Sequence, residues 1–439
     1  MVSLERMRED ALGAFDAAVA AVQPENLIPA QVTFNEGVVR VDGEPLPAAP
    51  GRRAVFSIGK AAPGLADAWL RSVPDWATEY FVLAPHGVPV ADGVESFATV
   101  LRGAHPYPDA DGEESTEQLL ETAQSLGDED VLIVLVSGGG SALMAAAERG
   151  LTLSDVRATT EALLKAGAPI TEVNTVRRQL LAAAGGGLGR AAHPAQVRTL
   201  ILSDVLGDPL PDIASGPTVY STSTPADALA VLDRFSIRGA VPEAVVRFLE
   251  AAGELPQDDG GWARGCKTRV IGNNRTAVEA AATELRERGY EVEIAPGDLV
   301  GEASIRGREL AMTARITEYS TATAVVLGGE TTVTVRGPGR GGRNQELALA
   351  AAVGLEGASK AVVLAGGTDG IDGHSENAGA VVDPTTTDRL RQIGIDPSEI
   401  LANNDSGTAL ETIGDAIRTG PTGTNVCDVT LVLTAPTTE

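Results

Sequence analysis

Apolar residues recur at helical spacing over Leu4–Val22, with Leu12, Phe15, Val19 and Val22 on one face, so the spacing predicts an amphipathic helix there. Beyond it, short apolar runs alternate with helical stretches. Ala54–Ile58, Tyr80–Leu83, Val131–Val136 and Thr199–Leu202 read as buried strands; Pro63–Leu70, Glu113–Leu126, Leu153–Lys165 and Thr171–Ala183 read as helices. This alternation predicts an α/β fold with a parallel sheet covered on both faces. Helices Ala226–Phe235 and Glu243–Ala252 follow, and the polar, glycine-rich segment Gly253–Gly265 reads as a linker. A second α/β series is expected to open with strand Thr268–Ile271. It continues through helix Arg275–Arg288, strand Glu291–Ile294, helix Glu302–Tyr319 and strands Ala322–Leu327 and Thr331–Val335. Helix Asn344–Val353, strand Ala361–Leu364 and strand Asp428–Leu433 complete it. The expected architecture is two α/β domains, residues 1–252 and 266–439, with the active site in a cleft between them.

Composition narrows the function classes. Sixty acidic residues against 34 basic ones leave a net charge of −26, which excludes a chain-wide basic footprint for nucleic acid. Two cysteines, Cys266 and Cys427, exclude a disulfide scaffold. The longest apolar run, Leu347–Val353, is too short for a bilayer, and Met1–Asp10 is charged where a signal peptide needs an apolar stretch. A cytoplasmic protein without membrane or nucleic-acid partners is expected. Only four of the 34 basic residues are lysine, namely Lys60, Lys165, Lys267 and Lys360. An acidic surface so poor in lysine is that expected in a salt-accumulating cell, where molar salt cuts the Debye length to about 3 Å and screens self-repulsion.

The glycines cluster after predicted strands, where doubly wound sheets bind ligands. Strand Val131–Val136 runs into Ser137, Gly138, Gly139, Gly140 and Ser141. Glycines let backbone N–H groups approach an anion, and a following helix would add its positive end; a ligand-free strand-to-helix turn is the plain alternative. Gly337–Gly342 is a formal GxGxxG motif, but Arg340 and Arg343 in and after it suit phosphate or carboxylate better than a dinucleotide. Lys60 follows strand Ala54–Ile58 in a glycine turn that is not a Walker A loop, since Ala54 and Ala61 stand where that loop needs glycine and Ser or Thr. Asp204, Asp208, Asp369 and Asp372 sit in strand-end turns, where aspartates hold Mg²⁺ or simply form turns. The four histidines show no metal spacing, and His105 in Ala104-His105-Pro106 is the one that stands out.

These motifs carry a resemblance. Ser137–Leu143, Ser203-Asp204-Val205 through Ser215-Gly216-Pro217-Thr218, Gly328–Val333 through Arg343-Asn344-Gln345-Glu346, Gly367–Gly373, Asn404-Asp405-Ser406 and Gly420–Val426 closely resemble the type II glycerate kinases, the glycerate 2-kinases with a C-terminal MOFRL domain. The lysine-poor chain looks like a haloarchaeal-like member. The resemblance covers essentially the whole chain. It implies a doubly wound, Rossmann-like N-terminal sheet, a C-terminal MOFRL domain, and transfer of the γ-phosphoryl group of ATP to D-glycerate with Mg²⁺, giving 2-phosphoglycerate and ADP. It implies active-site roles for Lys60 and for an arginine within Gly339–Arg343, Arg343 ahead of Arg340; beside it, the strand-end aspartates Asp204, counted as catalytic, and Asp369 are the candidates to hold Mg²⁺ or orient the substrate hydroxyl. Ser137, Gly138, Gly139, Gly140, Ser141, Glu330, Arg340, Asn344, Thr368 and Asp369 become candidate substrate- or nucleotide-binding residues. The chain departs from the family pattern at Gln179, where a histidine is usual, at Ala184, where a lysine is usual, and around His86. An NAD(P)H-dependent hydroxypyruvate reductase, motivated by Gly337–Gly342, is the rival enzyme. Small-molecule substrates are the expected partners, and the chain is expected to act as a monomer or homodimer.

Overall fold

The computed structural model describes residues 2–46, 51–253, 260–316, 320–358 and 360–436. They form two compact units, Pro24–Ile271 and Met1–Gln23 with Gly272–Glu439.

The first unit opens with three short antiparallel strands, β1 (Val32–Asn35), β2 (Val38–Val41) and β3 (Glu44–Pro45). The two-residue connections Glu36-Gly37 and Asp42-Gly43 all have positive φ, the backbone that matches a tight hairpin to strand twist. The main sheet holds β4 (Arg53–Ile58), β5 (Glu79–Pro85), β6 (Thr99–Gly103), β7 (Val131–Val136), β8 (Gln196–Leu202) and β9 (Cys266–Gly272). Their order is β6-β5-β4-β7-β8-β9, and the β6-β5, β5-β4, β4-β7 and β7-β8 pairs are parallel. Counted from β4 this is the 3-2-1-4-5-6 order of a Rossmann-like sheet. Every residue of β7 is buried, and Phe56, Ile58, Leu83, Leu132 and Val134 share its core. Helix Ala62–Ser72 buries Ala62, Leu65, Ala66 and Trp69, one stripe of its surface. A separate helical core gathers Val156 and Leu163 with Val173, Val176, Leu180, Val231, Leu232, Val245 and Leu249. Its helices Leu153–Lys165 and Pro225–Arg234 start in Thr152/Asp155 and Thr224/Asp227 capping boxes. The strand expected to open the second series is β9, which instead closes the first sheet; the linker expected before it falls partly outside the described residues.

The second unit holds β10 (Glu291–Ile294), β11 (Leu299–Glu302), β12 (Thr323–Thr332), β13 (Ala361–Gly367), β14 (Gly379–Val382), β15 (Ala416–Ile417) and β16 (Asp428–Thr434) in order β10-β12-β16-β13-β14-β15, with β11 also on β12. The sheet is mixed: β10 and β11 run parallel to β12, whereas β16 is antiparallel to both β12 and β13. One strand, β12, stands where two were expected, because Gly328 and Gly329 continue the pairing to β16 and Gly329–Thr332 pair with β11. Helix Arg343–Gly354 is buried from Asn344 to Ala352, and a Cβ at Gly307 or Gly354 would strike the facing helix, so small residues set that close packing. The end of the expected helix Glu302–Tyr319 lies outside the described residues beyond Ile316.

Helix Leu4–Ala21, expected in the first domain, packs in this second unit, which also departs from the consecutive boundaries 1–252 and 266–439. The cause is polar as well as apolar. Phe15 lies against Gly366, Asp10 takes Arg288 (2.8 Å) and the Tyr290 hydroxyl (3.0 Å), and Arg8 spans Asp383 (2.7 Å) and Asp415 (2.6 Å). Both of those carboxylates are buried, and Arg389 also pairs with them (2.6 Å to Asp415, 3.9 Å to Asp383), so Arg8 and Arg389 hold them together.

Candidate functional site

In the first unit, β4 and β7 are neighbours whose connections lead in opposite directions along the strand order, to β5 and to β8. That is the switch point at whose carboxyl ends open α/β sheets bind ligands. The β4 end carries Gly59-Lys60 and the β7 end Ser137–Gly140. The two turns are stitched together: Lys60 N–H donates to the Gly138 carbonyl (2.9 Å), Ser137 N–H to the Ile58 carbonyl (2.9 Å), and Ala61 N–H to Ser137 Oγ (3.0 Å). Gly59 is required at φ +123°, because a Cβ there would lie 2.3 Å from Ser137 Oγ. Ser137 is therefore a buried strut between the turns rather than an open ligand.

The remaining residues of the turn meet three other segments. A Cβ at Gly138 would collide with the Asp204 carboxylate, so Asp204, on the loop after β8, is fitted against the glycine turn. Gly139, at φ +85°, is flanked by Lys60 and His105. Gly140 faces Ala214, and Ser141 Oγ lies 2.7 Å from Ser215 Oγ. The helix after the turn spans only Gly140–Leu143, so any anion is held by backbone N–H groups and side chains, with little helix dipole behind them. Lys60 is exposed and, among the described residues, makes no ion pair. By contrast Lys165 pairs with Glu161 and Lys267 with Glu44.

The loop after β8 is strained. Ala214, Ser215 and Gly216 are consecutive left-handed residues, with φ of 49°, 60° and 61°. Gly185 and Gly186 N–H groups donate to the Ser215 and Gly216 carbonyls (2.8 and 2.7 Å), and the pair is glycine because both have positive φ (56° and 91°) and a Cβ on Gly186 would lie 2.4 Å from Trp262. Ala184 itself is buried, and Gln179 donates to the Ser223 carbonyl (2.9 Å); both departures from the family pattern have structural tasks here.

In the second unit Arg343 opens helix Arg343–Gly354. Its guanidinium holds both oxygens of buried Asp428 (2.6 and 3.0 Å) and one of Glu330 (2.8 Å). Burial works against the charge on Arg343, but Asp428 and then Glu330 outweigh it and raise its pKa. The N-terminus of this helix is already occupied by a carboxylate of the protein: Asp372 accepts the Asn344 and Gln345 N–H groups (3.1 and 2.8 Å) and lies near Asn344 Nδ2 (3.3 Å). Burial lifts Asp372 to about 7.

The GxGxxG loop is likewise taken up from within. Asn404 Oδ1 accepts from Arg336 and Gly337 (2.6 and 3.1 Å), the Asn403 carbonyl from Gly339 (3.0 Å), and Asp405 Oδ1 from Arg340 (2.8 Å). A dinucleotide pyrophosphate would need those donors. Arg340 turns its side chain to Glu411, away from the partners of Arg343. Thr368 is fully buried, bonded to Cys427 and Val426, which makes it a structural tie. Asp369 is half-buried, and its Oδ1 accepts from Ile371 N–H (3.2 Å). A cavity of about 520 Å³ beside Arg343 is lined by Glu330, Thr331, Glu346, His374 and Asn404, among others; the buried Thr331 hydroxyl has no hydrogen-bond partner among the described residues.

Asp428 was not evident as a site residue from the sequence, although a carboxylate opening an otherwise apolar terminal strand is a signal. His86, Asp109 and Asp111 lie together without a sequence pattern, with His86 Nε2 2.8 Å from Asp109 Oδ2.

Comparison with known proteins places the whole chain. Residues 10–250 match the family described as a domain of unknown function, DUF4147, and residues 323–428 match the MOFRL family. The chain is 37% identical to the D-glycerate 2-kinase of Thermotoga maritima over 87% of this chain and 90% of that one. It is 34% identical to the glycerate 2-kinase of Pyrococcus horikoshii over 99% and 98%. It is also 40% identical, over 95% and 92%, to an Agrobacterium vitis protein named, provisionally, a hydroxypyruvate reductase. Among solved structures, the glycerate kinase of Thermotoga maritima superposes with a TM-score of 0.85 at 34% identity, covering 98% of this chain and all of that one.

Proposed function

The chain belongs to the glycerate kinases that carry a MOFRL domain, and from that premise we propose that it transfers the γ-phosphoryl group of ATP to the 2-hydroxyl of D-glycerate, giving 2-phosphoglycerate and ADP. One observation carries the assignment of parts: Lys60, an ammonium without an ion pair among the described residues, stands at a glycine turn on the switch point of the Rossmann-like sheet. Phosphoryl transfer asks a protein mainly for positioning and charge neutralisation. Lys60 and the N–H groups of the turn hold phosphate oxygens. Arg343 neutralises the transferring phosphoryl group or the glycerate carboxylate, and Asp428 fixes the plane of its guanidinium.

The donor set also suits Mg²⁺, which takes one or two carboxylates and completes its shell with phosphate oxygens and water. Asp204, fitted against the turn where a Cβ on Gly138 would otherwise sit, is the residue that would hold it; Asp369 is the second candidate. Mg²⁺, when bound, supplies positive charge to the phosphate oxygens. Cytoplasmic location and function at high salt belong to the same proposal.

The reductase reading has no comparable support, since the N–H groups of its glycine motif are engaged by Asn403, Asn404 and Asp405. Purified protein given glycerate and Mg·ATP is expected to release ADP, and given hydroxypyruvate and NADH is expected to leave the NADH untouched. NADH consumption without glycerate-dependent ADP would overturn the proposal.

A further inference from the structure

A kinase acting on an alcohol also needs somewhere to put the hydroxyl proton, and the carboxylates assigned so far, Asp204 and Asp369, are given to Mg²⁺. Among the described residues, neither ring nitrogen of His105 has a hydrogen-bond partner, whereas His86 is engaged by Asp109. The imidazole nevertheless has a defined position. A Cβ on Gly139 would lie 3.0 Å from its Cδ2 and 3.4 Å from its Nε2, and 3.2 Å from Lys60 Cγ, so the ring edge bearing Nε2 and the lysine stem flank the same point of the glycine turn. The segment is anchored from behind: Asp109 Oδ1 accepts the N–H groups of Ala104 (2.9 Å) and Gly112 (3.0 Å). His105 is exposed, so its ring nitrogens are open to an incoming ligand while the ring edge lies against Gly139.

We propose that His105 is the general base of the reaction, accepting the proton of the glycerate hydroxyl as it attacks the γ-phosphorus. This rests on the kinase reading above. As the proton passes to a ring nitrogen, the hydroxyl oxygen's lone pair forms the new O–P bond. The bond between the γ-phosphorus and the bridging oxygen breaks, its electron pair leaves on ADP, and the imidazolium returns its proton to solvent. Desolvation, and then the charge of Lys60, push the imidazole down to about 4, so its resting form at neutral pH is the neutral base. Phosphate charge arriving beside Lys60 offsets that depression and strengthens the base when substrate is in place.

The wild-type enzyme is assayed first with glycerate and Mg·ATP; absence of ADP there would refute the kinase reading and leave nothing for His105 to do. With activity present, His105→Gln and His105→Ala are expected to lose at least about 100-fold in kcat, with the KM for ATP held within about threefold. Added imidazole is expected to restore His105→Ala at least tenfold, a recovery that a structural role would not produce. Retention of more than a tenth of wild-type kcat, or a loss that imidazole does not relieve in a variant melting like wild type, would overturn the inference. Should both variants melt early, the wild-type protein decides. With Mg²⁺ and a non-hydrolysable ATP analogue bound, adding glycerate is expected to shift the His105 ring resonances in NMR, and unchanged resonances would count against it.

Discussion

A lysine ammonium is a compact point charge on a flexible stem, whereas an arginine presents a broad planar fork. In a chain with 30 arginines and four lysines, Lys60 stands beside two backbone turns that pass within hydrogen-bonding distance of each other, and a guanidinium would have to fit the same place. Lys60→Arg is therefore expected to lose about 10²–10³ in kcat, the cost of one misplaced transition-state charge contact, while melting like wild type. Lys165→Arg, on an exposed helix face, is the control and should change neither quantity. Kinetics and melting curves on the two variants check this; a Lys60→Arg enzyme with more than about a tenth of wild-type kcat would make Lys60 a replaceable cation. Arg343 differs in kind, because its geometry comes from the bidentate grip of Asp428, which only a fork can accept.

Helix Arg343–Gly354 shows how an element can be set by a residue distant in sequence. Its first N–H groups are capped by Asp372, whose buried carboxyl is lifted from an ordinary 3.8 to about 7. Between those values the folded chain binds more protons than the unfolded one. The stability linked to this group is thus full below about 4 and is lost as pH rises through about 7. The melting temperature of wild type minus that of Asp372→Asn should accordingly fall between pH 4 and pH 8; a constant difference would contradict the assignment. The same element marks the limit of sequence reading. Central strands such as β7 were legible because burial on both faces makes them unbroken apolar runs. Strand β6 was not, since its residues alternate in exposure and include Arg102, and β9 was assigned to the wrong sheet because an edge strand carries no mark of which sheet it will join. The Asp42-Gly43 hairpin had its turn signal in plain view. At the site, Lys60 and the Ser137–Ser141 turn stood out by rarity and glycine spacing. Asp428 and Asp372 did not, because a carboxylate's task depends on a partner brought to it by folding, 85 residues away for Asp428 and Arg343.

At the scale of the whole molecule, the net charge of −26 opposes both folding and the approach of two anionic substrates. Salt at about 1 M shortens the Debye length to about 3 Å and removes most of that repulsion between exposed charges. Melting temperature and glycerate-dependent activity are expected to rise together between about 0.1 M and about 3 M KCl. A melting temperature that is flat or falling over that range would mean that the acidic surface is not an adaptation to salt. The central claim, phosphoryl transfer to the 2-hydroxyl of glycerate, is tested most directly by product identity. With D-glycerate, Mg·ATP and enolase present, ultraviolet absorbance from phosphoenolpyruvate should grow at once, since enolase acts directly on 2-phosphoglycerate. Absorbance that appears only after phosphoglycerate mutase is added would identify 3-phosphoglycerate as the product and contradict the account.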